Sequence, residues 1–290
     1  MKAGKKFRLL RHRKQLTQAQ ACGNILSRSR LSTFEQGKGD IAHHKLMKLL
    51  ERLDISLCEF EHYMQSDHYP TQTEFYQDVH NAKQTNNLLW LKSIENEQHC
   101  LYNDTNRRRF LFNYMIAQQA QHALQGAPYE THQIDQIYNY LKQVRHWHKY
   151  EINLFRQTLF CMTYPQIRTL CFNVIDFLPN NDQEKCCQNN ELTLLLDLFR
   201  TCLDYRELTD AKVCRETALQ LMNRSDHYYE QTRFKFLEGI RLILTGDVDH
   251  GTAKAHEAID IMDMFEDYVN ANRSTSYLKQ TLSTSDATHS

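Results

Sequence analysis

From close to its start almost to its end, this chain repeats apolar residues at the three-and-four spacing of an α-helix. Ile134, Ile137, Tyr138 and Leu141 make one such stripe, and Ile152, Phe155, Leu159 and Met162 make another. Sheets need many tight turns, and turns recruit Gly and Pro. The chain holds only 8 Gly and 4 Pro in 290 residues. The expected fold class is therefore all-α. An apolar fraction of 41% suffices for a core, and no run approaches the ~18 apolar residues of a membrane span. The opening Met1-Lys2-Ala3-Gly4-Lys5-Lys6 has no apolar stretch behind it, which predicts no secretory signal. Nine Cys in such a chain are then expected as reduced thiols in the cytoplasm, not as a disulfide frame.

The formal charge of zero hides a split. Residues 1–65 carry 13 basic and 6 acidic side chains, a net of +7, and the remainder carries 22 and 29, a net of −7. Halves of opposite charge suggest different partners. The basic half divides into five short helices. Residues 4–14 form a basic amphipathic stretch with Phe7 and Leu10 on one face and Leu9 beside them. Thr17 and Gln20 stand at capping-box spacing and open a second helix. Ser27 is the N-cap of a third, with Leu31 and Phe34 pointing inward and Gly37 stopping it. Ile41, Leu46, Leu49, Leu50 and Leu53 give a fourth stripe, and Ser56 with Glu59 opens a fifth helix carrying Phe60, Tyr63 and Met64.

The order Leu16-Thr17-Gln18, then Ser29-x-Leu31-Ser32-x-Phe34-Glu35-x-Gly37, resembles the Cro/cI-type (XRE) helix-turn-helix family over about residues 4–63. The stretch from Gln18 to Arg28 is about one residue shorter than that pattern, with Gly23 set early. The start of such a third helix is where side chains reach the major groove. Arg28 can bond guanine through two hydrogen bonds, and Ser29 and Thr33 can reach base edges or a thymine methyl. The family pattern puts its base-reading positions at the same three residues. Gln18, Arg30 and Lys38 are better placed for phosphate. Arg11 and Glu35 fall where the family often has a buried ion pair between helices one and three. A charge run alone is usually a solvated face; the recognition-helix pattern argues against that here.

Tyr69-Pro70 breaks the helical pattern. We expect a DNA-binding domain at 1–64, a linker at 65–72, a helical-repeat domain at 73–272, and a polar Ser/Thr-rich tail at 273–290 that frays. In the repeat region Pro165 restarts a helix with Ile167, Leu170, Cys171, Val174 and Leu178, and Pro179 ends it. Leu192, Leu195, Leu196, Phe199 and Leu203 follow, then Phe236, Ile240 and Leu244 before Gly246-Asp247, then Ala255, Ala258, Ile259, Met262 and Phe265. Helix starts near 133, 166, 210 and 252 recur at the period of TPR-like α-solenoid repeats. A compact helical domain without repeat geometry is the alternative.

The layout as a whole resembles the Rgg/GadR/MutR family of Gram-positive regulators. Gly4-Lys5-Lys6-Phe7-Arg8-x-Leu10-Arg11 opens as that family opens, and Asp40-Ile41, Lys45-Leu46 and Ile55-Ser56-x-x-Glu59-Phe60 follow its order. Trp147-x-x-Tyr150-Glu151-x-x-Leu154-Phe155 matches its most recognisable internal motif. The resemblance implies a cytoplasmic homodimeric transcription factor that binds double-stranded DNA. It also implies a repeat domain that takes a short, mostly hydrophobic signalling peptide in quorum sensing. Some members carry, at the position of His43, a Cys that cross-links the dimer; this chain does not.

Other candidate chemistry is weaker. His146-Trp147-His148 and His43-His44 place ring nitrogens apart on a helix, so no metal or other cofactor is expected. Cys186-Cys187 lacks the Cys-x-x-Cys spacing of a redox pair. No Ser/His/Asp signature or phosphate-binding Gly turn is present, which argues against an enzyme. Trp147 and Tyr150 either line a pocket or pack between helices. Arg156, Gln157, Asn189 and Asn190, polar groups near the middle of the array, either grip a peptide or are ordinary surface. The function expected is that of a peptide-controlled, sequence-specific regulator. A helical-repeat interaction adaptor without specific DNA binding is the alternative, and it would not need the basic third helix.

Overall fold

The computed structural model describes residues 3–64, 71–177, 188–222 and 228–286. Every regular element among them is helical, and they divide into two compact units, Met1–Gln77 and Asp78–Ser290, with the division falling inside one helix.

The first unit begins with α1 (Ala3–Arg13), α2 (Gln18–Cys22), α3 (Arg28–Glu35), α4 (His43–Glu51) and α5 (Leu57–Met64). Three of these starts, those of α2, α3 and α5, have a side-chain cap. Thr17 and Gln20 form a reciprocal capping box on α2, Ser27 Oγ accepts from the Arg30 amide at 3.3 Å, and Ser56 and Glu59 repeat the box at α5. Phe7, Leu10, Leu31, Phe34, Leu49, Leu50 and Phe60 meet in one core. Gly4 is part of why α1 can lie where it does. A Cβ there would stand 1.7 Å from the Phe34 carbonyl oxygen, so only Gly lets the two backbones approach. The short α2 ends at Gly23, whose φ of 45° lies in the region other residues avoid. The Arg52 guanidinium fills the space beside it, and Arg52 Nε donates to the Gln20 carbonyl at 3.1 Å.

α6 (Gln72–Gln84) contains the division between the units. The second unit continues with α7 (Leu88–Thr105), α8 (Arg108–Gln125), α9 (Thr131–Gln143), α10 (Lys149–Thr158), α11 (Tyr164–Phe177) and α12 (Gln188–Asp204). Then come α13 (Leu208–Met222), α14 (Tyr228–Leu244), α15 (Val248–Met264) and α16 (Tyr268–Asp286). The helices form two layers. α10, α12, α14 and α16 pack in succession, and α9, α11 and α13 do the same. The alternate helices α9, α11, α13 and α15 begin at 131, 164, 208 and 248, close to the starts read from periodicity. This is the helical-repeat layout expected.

Three details differ from the reading of the sequence. Residues 273–286 are helix, not a frayed tail: α16 buries Leu278 and Thr281, and the Ser and Thr hydroxyls bond to carbonyls one turn back. Phe265 does not join its stripe; it caps α15 and is 75% exposed. Helices α7 and α8 carried no clear apolar stripe because their contact face is partly polar. Glu95 accepts from Gln118 and Gln121, and Asn113 donates to Gln98, all across that helix pair. Leu178, Pro179, Cys186 and Cys187 lie outside the described residues.

The α14–α15 crossing depends on a pair of small residues. Gly239 and Gly251 face each other so closely that a Cβ on either would meet the other's carbonyl oxygen at 2.6 Å. Such close approach is available only without a side chain.

Candidate functional site

In the first unit, α3 has two faces of opposite character. Leu31, Phe34 and Glu35 are buried, while Arg28, Ser29, Arg30 and Thr33 are exposed, as is Lys38 just beyond the helix. The buried side fixes the exposed side's direction. Arg11 Nε donates to Glu35 Oε1 at 2.6 Å and its second guanidinium nitrogen donates to Glu35 Oε2 at 2.8 Å. Arg11 also donates to the Leu16 carbonyl at 2.6 Å, so one side chain joins α1, α3 and the entry to α2. Burial alone would push the Glu35 carboxyl up, but its hydrogen bonds from Arg11 and Gln18 outweigh this and hold it below the ordinary carboxylate range.

The individual exposed groups are partly engaged. Thr33 donates to the Ser29 carbonyl at 3.0 Å, and the Ser29 and Ser27 hydroxyls lie 3.1 Å apart. Arg30 donates to the Asp40 carbonyl at 3.0 Å. Gln18, expected to face phosphate, donates its amide to Glu35 Oε2 at 2.8 Å. Its side chain thus completes the buried pair, a role that depends on α2 meeting α3 and so has no local signature.

The second unit carries a groove of about 650 Å³. Its walls come from α6, α10, α12, α14, α15 and α16. Phe236, Leu237 and Met262 form a buried apolar floor. Four guanidinium groups converge on it: Arg156 from α10, Arg200 from α12, Arg233 from α14 and Arg273 from α16. Asp197 is the one carboxylate on the lining. It accepts from Arg156 Nε at 2.9 Å and from Arg233 at 2.8 Å, and so ties three helices together. Arg200 lies 4.8 Å from the centre of the Tyr277 ring and only 3.8 Å from Asp204, while Arg273 donates to the Gln84 side-chain oxygen. The field of these cations is felt by His80. Burial first, then Arg273 and Lys83, hold its pKa below the ordinary value.

Of the polar residues singled out from sequence, Arg156 lines this groove. Gln157 and Asn190 are half-buried and do not line it, and the Asn189 side chain lies outside the described residues. Arg200, Arg233, Arg273 and Asp197 escaped notice because nothing in the sequence brings them together.

The aromatic motif at 147–155 is built for packing. Trp147 is 2% exposed and meets Phe155 edge-on at 5.7 Å, and Leu154 and Phe155 are fully buried. Glu151 accepts from the His148 amide at 3.1 Å and from the Tyr140 hydroxyl at 2.7 Å, which caps α10 and fastens it to α9. His146 and His148 are exposed beside it. Among the described residues, no three His, Cys, Asp or Glu are disposed to hold a metal ion. Among the described residues the thiols of Cys22, Cys161, Cys171, Cys202 and Cys214 are buried, and the Cys171 and Cys214 sulfurs lie 3.5 Å apart. No helix among the described residues is long and apolar enough to cross a membrane.

The same arrangement of helices occurs in solved structures. The Streptococcus dysgalactiae SHP pheromone receptor Rgg2 is 19% identical, with a TM-score of 0.79 over 96% of this chain and 99% of that one. A putative transcriptional regulator from Listeria monocytogenes EGD-e is 16% identical, with a TM-score of 0.84 over 98% of each chain. ComR from S. thermophilus, solved in complex with DNA and its signalling peptide ComS, is 15% identical, with a TM-score of 0.59 over 96% of this chain and 99% of that one. At these identities the likeness concerns the fold. The family described as the C-terminal domain of the HTH-type transcriptional regulator Rgg matches residues 91–275, most of the second unit. With that match spanning more than half its length, the chain belongs to the Rgg family of helix-turn-helix transcriptional regulators.

Proposed function

We propose that this chain is a dimeric, sequence-specific DNA-binding regulator of the cytoplasm whose repeat domain binds a short signalling peptide. The observation that carries the reading is the pairing, in one Rgg-family chain, of an exposed basic recognition helix with a concave groove in the repeats. In this reading Arg28, Ser29 and Thr33 contact base edges, with Arg28 donating two hydrogen bonds to a guanine. Arg30 and Lys38 contact phosphate and supply affinity without sequence choice. Gln18 gives one amide N–H to Glu35 and can join them through its second. Arg11 and Glu35 hold the recognition helix in register. Arg156 belongs to the peptide groove; Gln157, Asn189 and Asn190 stand outside its lining or its description.

Two recognition helices of a dimer would enter adjacent major grooves about one helical turn apart. Peptide control then requires that the peptide bind one dimer arrangement better than another, since a ligand with equal affinity for both shifts nothing. No chemistry on a substrate is part of the reading.

The test is binding of the full chain to duplex DNA from the region upstream of its own gene, with light scattering on the same sample. Binding by a dimer, weakened by salt, is expected. Arg28→Ala should cost about 1–3 kcal/mol at the operator and relax specificity there, whereas Lys38→Ala should weaken all sequences alike. A chain that binds no DNA at low salt would sink the regulator reading and leave the repeat domain as an adaptor for a protein partner.

A further inference from the structure

The chain beyond residue 65 has a net charge of −7, yet one corner of the repeat unit is strongly basic. Residues 105–129 and 136–150 hold no Asp or Glu, although the chain has 35 of them. Within these stretches Arg107, Arg108 and Arg109 open α8, and Lys142, Arg145 and Lys149 flank the turn from α9 to α10. The fold brings the two runs together. The Arg108 guanidinium lies 4.8 Å from the centre of the Tyr140 ring near the end of α9, and the Tyr140 hydroxyl donates to Glu151 in the first turn of α10 at 2.7 Å. Burial first, then the neighbouring Arg107, hold the Arg109 pKa below its ordinary value, with Tyr150 close enough to oppose them.

These cations are not balanced by acids. Five of the six are exposed and Arg109 is half-buried. Among the described residues no ion pair joins any of them to a carboxylate. Glu151 is buried and already accepts from Tyr140 and from the His148 amide. Arg109 Nε is buried without an acceptor, and a buried donor calls for one. The positions also run against helix electrostatics. The first turn of a helix carries partial positive charge and favours carboxylates. α8 has no acid in its first turn; Arg107 is its N-cap, without a capping hydrogen bond, and Arg108 and Arg109 follow. Lys149 stands at the first position of α10. Local rules broken together at one place mark a surface kept for a partner.

Six cations call for an occupant whose negative charges are spread along its surface. Duplex DNA carries one charge per ~1.7 Å of its axis. It is also the polyanion that the first unit of the same chain holds in the reading above, and tethering raises its effective concentration at the second unit. We propose that this corner of the repeat unit is a second DNA-contacting surface, gripping phosphates of the duplex whose base edges α3 reads. A guanidinium meets phosphate through two donors, and stacking on Tyr140 orients that of Arg108 before binding. The contact supplies affinity and carries no sequence choice. The proposal rests on the DNA-binding reading and extends it to the second unit.

The experiment measures binding of the full chain to duplex DNA from its own upstream region over a range of salt, with hydroxyl-radical footprinting of the backbone. The corner variant Arg107→Gln, Arg108→Gln, Lys142→Gln, Arg145→Gln should bind about tenfold more weakly, to operator and unrelated sequence alike. Its plot of log affinity against log salt should be shallower by about 2–4, since each lost phosphate contact removes about 0.9. It should also lose protection at some phosphates that the native chain covers. A control with the same change in net charge, Lys212→Gln, Lys235→Gln, Lys254→Gln, Lys279→Gln, should bind as the native chain does. Melting profiles report whether each variant is folded. Gln143→Lys adds a cation to the corner and should tighten binding and steepen the salt plot, a gain that misfolding cannot imitate. If the folded corner variant matches the native chain, or weakens no more than the control, the second DNA surface is overturned. An acidic protein then becomes the candidate occupant, and the recognition helix stands. A native chain that binds no DNA at low salt would remove the regulator reading itself, and this proposal with it.

Discussion

The two units of this chain build their key contacts over different distances along the sequence. In the bundle, Thr17 meets Gln20, Ser27 meets Arg30 and Ser56 meets Glu59, while Arg11 to Glu35 spans 24 residues and Arg52 to the Gln20 carbonyl spans 32. In the repeats, Arg156 reaches Asp197 across 41 residues, Arg233 reaches the same carboxylate across 36, and Arg273 reaches Gln84 across 189. The bundle makes its surface from a single helix held rigidly from behind. The repeat unit makes its groove by stacking, so each helix contributes one cation and no helix contains the site.

That contrast predicts different responses to substitution. The largest expected effect is in the bundle. Arg11→Met leaves Glu35 buried without a counter-charge, held only by the Gln18 amide, and should cost about 3–5 kcal/mol, read as a lower urea midpoint. The double variant Arg11→Met, Glu35→Leu should recover most of the loss. If the single variant unfolds no more readily than the native chain, the pair is not what holds α1 to α3.

Next in size is Gly239→Ala in the repeat unit. Its Cβ would stand 2.6 Å from the Gly251 oxygen and 2.8 Å from the Ala255 amide nitrogen. Forcing α14 and α15 apart should cost about 1–3 kcal/mol, beyond the gain in helix propensity. Unchanged thermal unfolding would show that the crossing can relax. By contrast, Ser27→Ala should cost about 1 kcal/mol, the value of one N-cap. It should act on the bundle alone, with amide exchange in α3 accelerating while α10 to α16 stay protected. Acceleration in both units would mean that they unfold together and would break the comparison.

Smallest near neutrality, and common to both units, is the effect of acid. Glu35 in the bundle and Glu238 in the repeats are both buried. Burial pushes each carboxyl up, but hydrogen bonds from arginines, Arg11 in one case and Arg241 with Arg215 in the other, bring both below the ordinary 4.5. A carboxyl depressed in the folded state contributes stability that is fully present above its unfolded pKa and is lost as pH falls through the folded one. The unfolding midpoint should therefore hold steady on descending to about pH 5 and drop below the ordinary carboxylate value near 4.3. A midpoint that rises on acidification in that range would contradict the sign.

The bundle was the more legible unit for a physical reason. N-caps and capping boxes are exchanges between residues three apart, so Thr17, Ser27 and Ser56 declare helix starts within a short window. The apolar stripe of a helix is equally local, which is why the starts of α9, α11, α13 and α15 were close to expectation. Gly4 was visible as part of a resemblance, but its cause, the Phe34 carbonyl one helix away, was not. Periodicity failed over α7 and α8, where Glu95, Gln98, Asn113 and Gln119 occupy buried positions that a hydrophobic pattern reads as surface. It failed again at 273–286, where Ser and Thr look like a loose end until Leu278 finds its neighbours.

What the amino-acid sequence determined by itself is whatever depends on neighbours within a turn or two: an all-helical chain, its capped helix starts, a basic front half, and the polar face of α3. Only the tertiary structure decided that Gln18 turns to Glu35, that Gly239 and Gly251 let two helices touch, and that Arg156, Arg200, Arg233 and Arg273 share one groove. Helix formation and capping are satisfied by short-range hydrogen bonds and side-chain spacing. The direction and company of a charged side chain are set by which helices pack against it, and that is a property of the stack.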